Sequence, residues 1–253
     1  MNRRAIIAGI AGFSMARQPW AQASPPYRIT LIGGAHDGAA WRAGVAVDLD
    51  KGWKTYWRMP GEAGIPPRFD WTKSRGASGV EVLYPLPQRL HDLSGETVGY
   101  ERRVVFPVIV TPAENAAEVR LRLDLFFAVC KDICIPANAQ GTLLLTSAST
   151  PDAGIVDRWI EQVPVPGTAV RAVTAAMDGE ETFLVVKLIR PVDDIFVESA
   201  SLAYFRKPAF SADGLEARLT VDNVKDAAQL AGLSLNLTIA ADGSGIEQTI
   251  TVK

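Results

Sequence analysis

The chain has 253 residues, 48% hydrophobic and 21% charged, an ordinary globular composition that excludes disordered, collagen-like and coiled-coil chains. Its 26 basic and 28 acidic residues give no electrostatic footprint for nucleic acid. The length suits one large domain or two of roughly 100–130 residues.

The amino terminus reads as an export signal spanning residues 1–23. Asn2-Arg3-Arg4 is a short basic start, Ala5–Ala16 is a run of small and apolar residues, and Ala21-Gln22-Ala23 has the small-x-small form of a cleavage site. The run is shorter than the roughly 20 apolar residues that span a bilayer. Cleavage after Ala23 removes three arginines and no acid, moving the formal charge from −2 to −5. No later stretch is long and apolar enough to span, so the mature chain is expected not to be an integral membrane protein.

Period-2 alternation follows. Over Glu118–Val129 the odd-numbered Val119, Leu121, Leu123, Leu125, Phe127 and Val129 share one face, while Arg120, Arg122 and Asp124 share the other, the pattern of a half-buried strand. Strands are predicted too at Tyr27–Ile32, Ala43–Leu49, Val80–Leu83, Arg103–Val110 and Thr142–Thr146. Around Pro151–Val163 the period turns helical through Ile155, Trp159, Ile160 and Val163, with Thr150 as cap and Pro151 at the first helical position. Pro164-Val165-Pro166-Gly167 stops that helix. Strands resume at Phe183–Ile189, Ile195–Glu198, Leu202–Phe205, Leu215–Val221, Leu233–Ala240 and Ile246–Val252. The expected fold is all-β: two β-sandwich domains joined by a short helix and linker. The boundaries are 1–23 for the signal, 24–149 for the first sandwich, 150–167 for helix and linker, and 168–253 for a smaller second sandwich.

Few residues can carry chemistry. There are two histidines, His36 and His91, no zinc spacing, no phosphate-binding glycine loop and no nucleophile elbow. What stands out is Cys130-Lys131-Asp132-Ile133-Cys134. A ring of about five residues gains only about 2 kcal/mol of chain entropy, against about 3 for a 15-residue loop, so the pair is a weak staple. Strained or exposed disulfides are the exchanging ones. Three readings stay open on the residues alone: an exchanging disulfide, an inert clip, and copper(I) held by two thiolates. Since the core residues of the preceding strand are odd-numbered, Cys130 is expected to leave on the polar face. Lys131 would favour a thiolate and Asp132 would oppose it.

Three blocks then stand in order: Gly52-Trp53-Lys54-Thr55-Tyr56-Trp57-Arg58-Met59-Pro60-Gly61 with Ala63–Pro67 and Asp70-Trp71; Tyr84–Pro87 with Glu96–Tyr100; and Cys130–Pro136. Over roughly Tyr27–Ser147 they make the chain resemble the periplasmic amino-terminal domain of the thiol:disulfide interchange protein DsbD family, in its ScsB-like branch. The resemblance implies an immunoglobulin-like first sandwich, a periplasmic location and a redox-active pair at Cys130 and Cys134. It implies a membrane-embedded dithiol protein as electron donor, and periplasmic disulfide or thioredoxin-like proteins as acceptors. The activity would be protein-disulfide reduction, without a bound cofactor. Tyr56, Trp57, Glu62 and Tyr100 are candidates to cap or tune the pair, as are Lys131 and Asp132. Trp53, Tyr56 and Trp57 suit plain core and loop packing better than a cap over the disulfide. The alternative is a non-catalytic binding or assembly module, in cytochrome c biogenesis or copper homeostasis, with a structural disulfide.

Overall fold

The computed structural model describes residues 24–61, 64–92, 95–148, 150–199 and 203–253. The export signal and Glu62 lie outside the described residues.

Ten strands build the first domain among those residues: β1 (Tyr27–His36), β2 (Trp41–Leu49), β3 (Lys54–Tyr56), β4 (Arg68–Asp70), β5 (Ala77–Val82), β6 (Gln88–Asp92), β7 (Gly95–Glu101), β8 (Arg103–Pro112), β9 (Val119–Cys130) and β10 (Cys134–Leu145). One sheet has the order β1-β2-β8-β5. The other runs β10-β9-β3-β7-β6, with β4 also pairing β9. Every pair is antiparallel. The alternation in β9 does what its period requires. Val119, Leu121, Leu123, Leu125, Phe127 and Val129 are buried, and they meet Val45, Val47, Val104, Phe106 and Val108 of the facing sheet. The result is an immunoglobulin-like sandwich.

The helix α1 (Ala153–Ile160) lies on the outer face of β1, β2 and β8, where Val156 packs with Ile32, Ala46 and Val105. This second covering explains why β2 is buried on both faces. The expected cap does not form. The helix starts after Asp152 without a side-chain cap bond, and the Thr150 hydroxyl donates to the Gly33 carbonyl at 2.5 Å. It ties the connection to β1.

The second domain holds β11 (Val165–Pro166), β12 (Val170–Asp178), β13 (Glu181–Leu188), β14 (Asp194–Glu198), β15 (Tyr204–Phe205), β16 (Ala209–Phe210), β17 (Glu216–Asp222), β18 (Ser234–Ala241) and β19 (Ser244–Thr251). Its sheets run β11-β19-β18-β14 and β12-β13-β17-β15, with β16 also on β17. Val173, Leu184, Val186, Ile195, Leu219, Leu235, Leu237 and Ile239 are fully buried between them. A tilted aromatic contact joins the two sandwiches, with Trp57 and Phe196 centroids 5.9 Å apart.

Candidate functional site: the disulfide at the tip of the long hairpin

β9 and β10 form the longest hairpin, and Cys130 and Cys134 are its last directly opposed residues. Their Cα atoms lie 4.2 Å apart and their sulfurs are bonded. Opposed residues of an antiparallel pair project to the same face, so the strand register itself presents the two thiols to each other. Lys131, Asp132 and Ile133 make the turn, all exposed, with Ile133 at 74%.

The two cysteines have different surroundings. Cys134 is exposed, whereas Cys130 is 1% exposed. Cys130 does leave on the face opposite the main core, as its even number requires, but that face is not polar here. β3 pairs alongside it, with Lys54 opposite Cys130, and Tyr56, Ala128 and Ile65 close over it as a small apolar cluster. Alternation gave the direction of the side chain; the covering loop decided its burial.

Tyr56 is fully buried, and its hydroxyl lies 3.1 Å from the Cys134 sulfur. It is the candidate that the fold brings to the pair. Gly64 lies against it, so close to the Tyr56 ring and to Pro60 that a β-carbon there would collide with both. Beneath the pair Lys54 is buried, its ammonium donating to the Thr97 hydroxyl at 2.8 Å and standing 5.8 Å from the Tyr56 ring centre. Sequence reasoning passed over Lys54 and Ile65; only the β3–β9 register and the loop path put them here. The Lys131 side chain passes beside Gly52, which holds a φ of +81°.

Two of the candidates to cap or tune the pair make their contacts elsewhere, Trp57 in the packing role that the sequence also suits. Tyr100 is a core residue, donating to the Pro85 carbonyl at 2.8 Å and meeting Phe106 edge to face. Trp57 follows Tyr56 in the chain and so faces the other way, toward Phe196. Trp53 is half-buried against the main core.

Residues 30–146 match the family model described as thiol:disulfide interchange protein DsbD, N-terminal. The first sandwich resembles the amino-terminal domain of the DsbD family. Residues 162–253 match a domain of unknown function, DUF8393. A solved relative in fold is the crystal structure of the N-terminal periplasmic domain of ScsB from Proteus mirabilis. It is 22% identical, with a TM-score of 0.72, and the likeness covers 93% of this chain and 96% of that one. No curated protein matches the sequence.

The loop over the DsbD-like pair is also tied to the second domain. Arg58 stacks on Trp57, 4.6 Å from the ring centre, and binds Glu198 through two bonds of 2.8 and 2.7 Å and Glu247 through a third of 2.5 Å. Burial opposes its charge, but the two carboxylates outweigh it and raise its pKa. Arg89, with a side chain 5% exposed, forks onto Asp194 at 3.0 and 2.9 Å and reaches Glu96 and the Ile195 carbonyl. Burial holds the Asp194 carboxyl above the usual carboxylate value, against the pull of Arg89. Gly61, at φ +91°, lies under the Tyr204 ring so closely that a β-carbon would stand 2.9 Å from it. Burial, with the nearby Glu96 carboxylate, pushes the Tyr204 phenol up to about 12. Among the described residues no helix is long and apolar enough to cross a membrane.

Proposed function

We propose that this chain is a periplasmic thiol–disulfide exchange module that passes electrons from a membrane-embedded dithiol partner to disulfides of thioredoxin-like or other periplasmic proteins. The observation that carries the reading is the asymmetric disulfide on a DsbD-like sandwich, one cysteine exposed and its partner buried. The exposed Cys134 is the attacking residue. Its thiolate adds to one sulfur of a partner disulfide, and the partner's other sulfur leaves as a thiolate. The Cys130 thiolate then attacks Cys134, reforming the intramolecular bond and releasing the reduced partner with two electrons. The Tyr56 hydroxyl donates to the Cys134 sulfur while it carries charge. The exchange requires no bound cofactor. On this reading residues 1–23 are an export signal removed after Ala23, and the exported form starts at Ser24, which an intact mass checks.

A second reading, a binding or assembly module with a structural disulfide, draws on the burial of Cys130 under Tyr56 and Ile65. The reduction potential separates the two. Equilibrated in defined thiol buffers, an exchanging pair falls between about −180 and −270 mV, whereas a value below about −300 mV marks a structural bond. In addition, Cys130→Ser is expected to trap a mixed disulfide through Cys134, and Cys134→Ser is expected to trap none. A potential below the exchange range, or trapping by the wrong variant, overturns the proposed route.

A further inference from the structure

At the far end of the same hairpin from the disulfide, the outward face is basic. The segment Thr72–Gly76, between β4 and β5, runs beside the start of β9 and leaves an open groove of about 970 Å³. Lys73, Arg75, Arg120 and Arg122 line it, together with Glu118 and the hydroxyls of Thr72, Ser74 and Thr142. Arg75 and Arg120 are held directly opposite by reciprocal backbone bonds, both 2.9 Å. Like charges placed opposite each other across strands are destabilising. Lys73 is neutralised by Asp124 at 2.8 Å. Among the described residues no carboxylate lies in ion-pair contact with Arg75, Arg120 or Arg122. The chain as a whole carries a formal charge of −2, so three arginines on one groove, set against the Glu118 carboxylate in its lining and an Asp124 that Arg122 reaches only at longer range, run against its overall charge.

We propose that this groove is a docking site for an acidic segment of a partner protein, bound as an extended strand. Arg120 and Arg122 are two residues apart on one strand face, a spacing of about 6.8 Å. Carboxylates at alternate positions of an extended peptide repeat at the same distance. Guanidiniums bind carboxylates through paired, charge-assisted bonds, and the Thr142 hydroxyl suits a peptide backbone, while that of Thr72 donates to Asp70. The groove has room for several residues, far more than one inorganic phosphate fills. Arg122 lies eight residues before Cys130, about 27 Å along the strand, so the site is separate from the disulfide.

The test uses the mature chain and a fluorescein-labelled peptide with glutamates at alternate positions, read by anisotropy. A peptide of the same composition with its glutamates contiguous is the comparison. Arms with inorganic phosphate and with phosphatidylglycerol vesicles separate the other anion sources. The alternating peptide is expected to bind better than the contiguous one, and to weaken as salt rises from about 50 to about 300 mM. Arg120→Ala/Arg122→Ala is expected to weaken it about tenfold or more, and Arg75→Ala by less. These side chains are exposed, so circular dichroism is expected to show the variants folded. Cys130→Ser/Cys134→Ser is expected to bind the peptide unchanged, so that failure of the exchange reading leaves this one standing. Absence of peptide binding, equal binding by the double arginine variant, or retention by vesicles alone overturns the proposal.

Discussion

Tyr56 has little freedom. It is fully buried, flanked by Ala128 and Cys130, and its hydroxyl stands 3.1 Å from the Cys134 sulfur. In the disulfide that contact is a weak one, since sulfur is a poor acceptor. Once the bond is reduced and Cys134 carries charge, the hydroxyl faces a thiolate, and hydrogen bonds to charged groups are worth about 1.5–3 kcal/mol. Tyr56→Phe keeps the ring and its packing while removing that donor. The expected outcome is a folded protein whose reduced form reacts about tenfold more slowly with iodoacetamide at neutral pH. An unchanged rate would mean that the hydroxyl contributes shape alone. Lys54 argues the same point from below: its ammonium is buried beside the pair and anchored on Thr97. The sequence presents it merely as one charged residue of the 52–61 block.

Among the elements, the loop between β3 and β4 connects the disulfide to the rest of the fold. It contributes Ile65 to the cluster over Cys130 and is pressed onto Tyr56 at Gly64. Substituting Gly64→Val places a branched side chain where even a β-carbon does not fit, so the loop must lift. Reduction of the disulfide by dithiothreitol is then expected to accelerate by about tenfold, a modest change in access and cover, with the sandwich retained in far-UV circular dichroism. A rate equal to the parent's would show that the loop does not limit access. The loop was only partly legible. Its prolines and glycines announced a turn-rich connection, and the alternation of β9 announced the strand beneath it. The three-residue β3 and β4 were invisible, because strands that short lack a period, and Lys54 and Thr55 are polar residues buried by their neighbours. β12 escaped for another reason. Ala172, Ala175 and Ala176 give it little β-propensity, and pairing with β13 overrides that. The helix showed in its period, but its start did not, since Thr150 found a better acceptor in Gly33 than in its own helix.

At the scale of the whole molecule, two arginines of the first sandwich hold the second. Neither was readable as such, because the second-domain partners of Arg58 and Arg89 lie 105–189 residues away in the chain. The Arg89 side chain is almost fully enclosed, with Asp194 on one side, Glu96 on the other, and the Phe196 ring centre 5.1 Å from its guanidinium. Removing one partner of a buried pair strands the other, at a cost of about 3–5 kcal/mol. Arg89→Ala is therefore expected to lower the melting temperature by about 6–20 °C at neutral pH. The pH dependence identifies the cause. Asp194 is an acid whose folded pKa is already raised by burial, so the folded state keeps a proton that the unfolded chain gives up. Stability through this group is highest at low pH, and falls as pH rises through the unfolded carboxylate value of about 3.9 toward the folded one. Without Arg89 that folded value climbs further and the loss at neutral pH grows. The difference in melting temperature between parent and variant is thus expected to shrink from pH 7 to pH 4, as the stranded carboxyl takes up its proton. If the difference is the same at both values, the contribution of Arg89 is its packing on Phe196, and the charge pairing across the domains adds nothing.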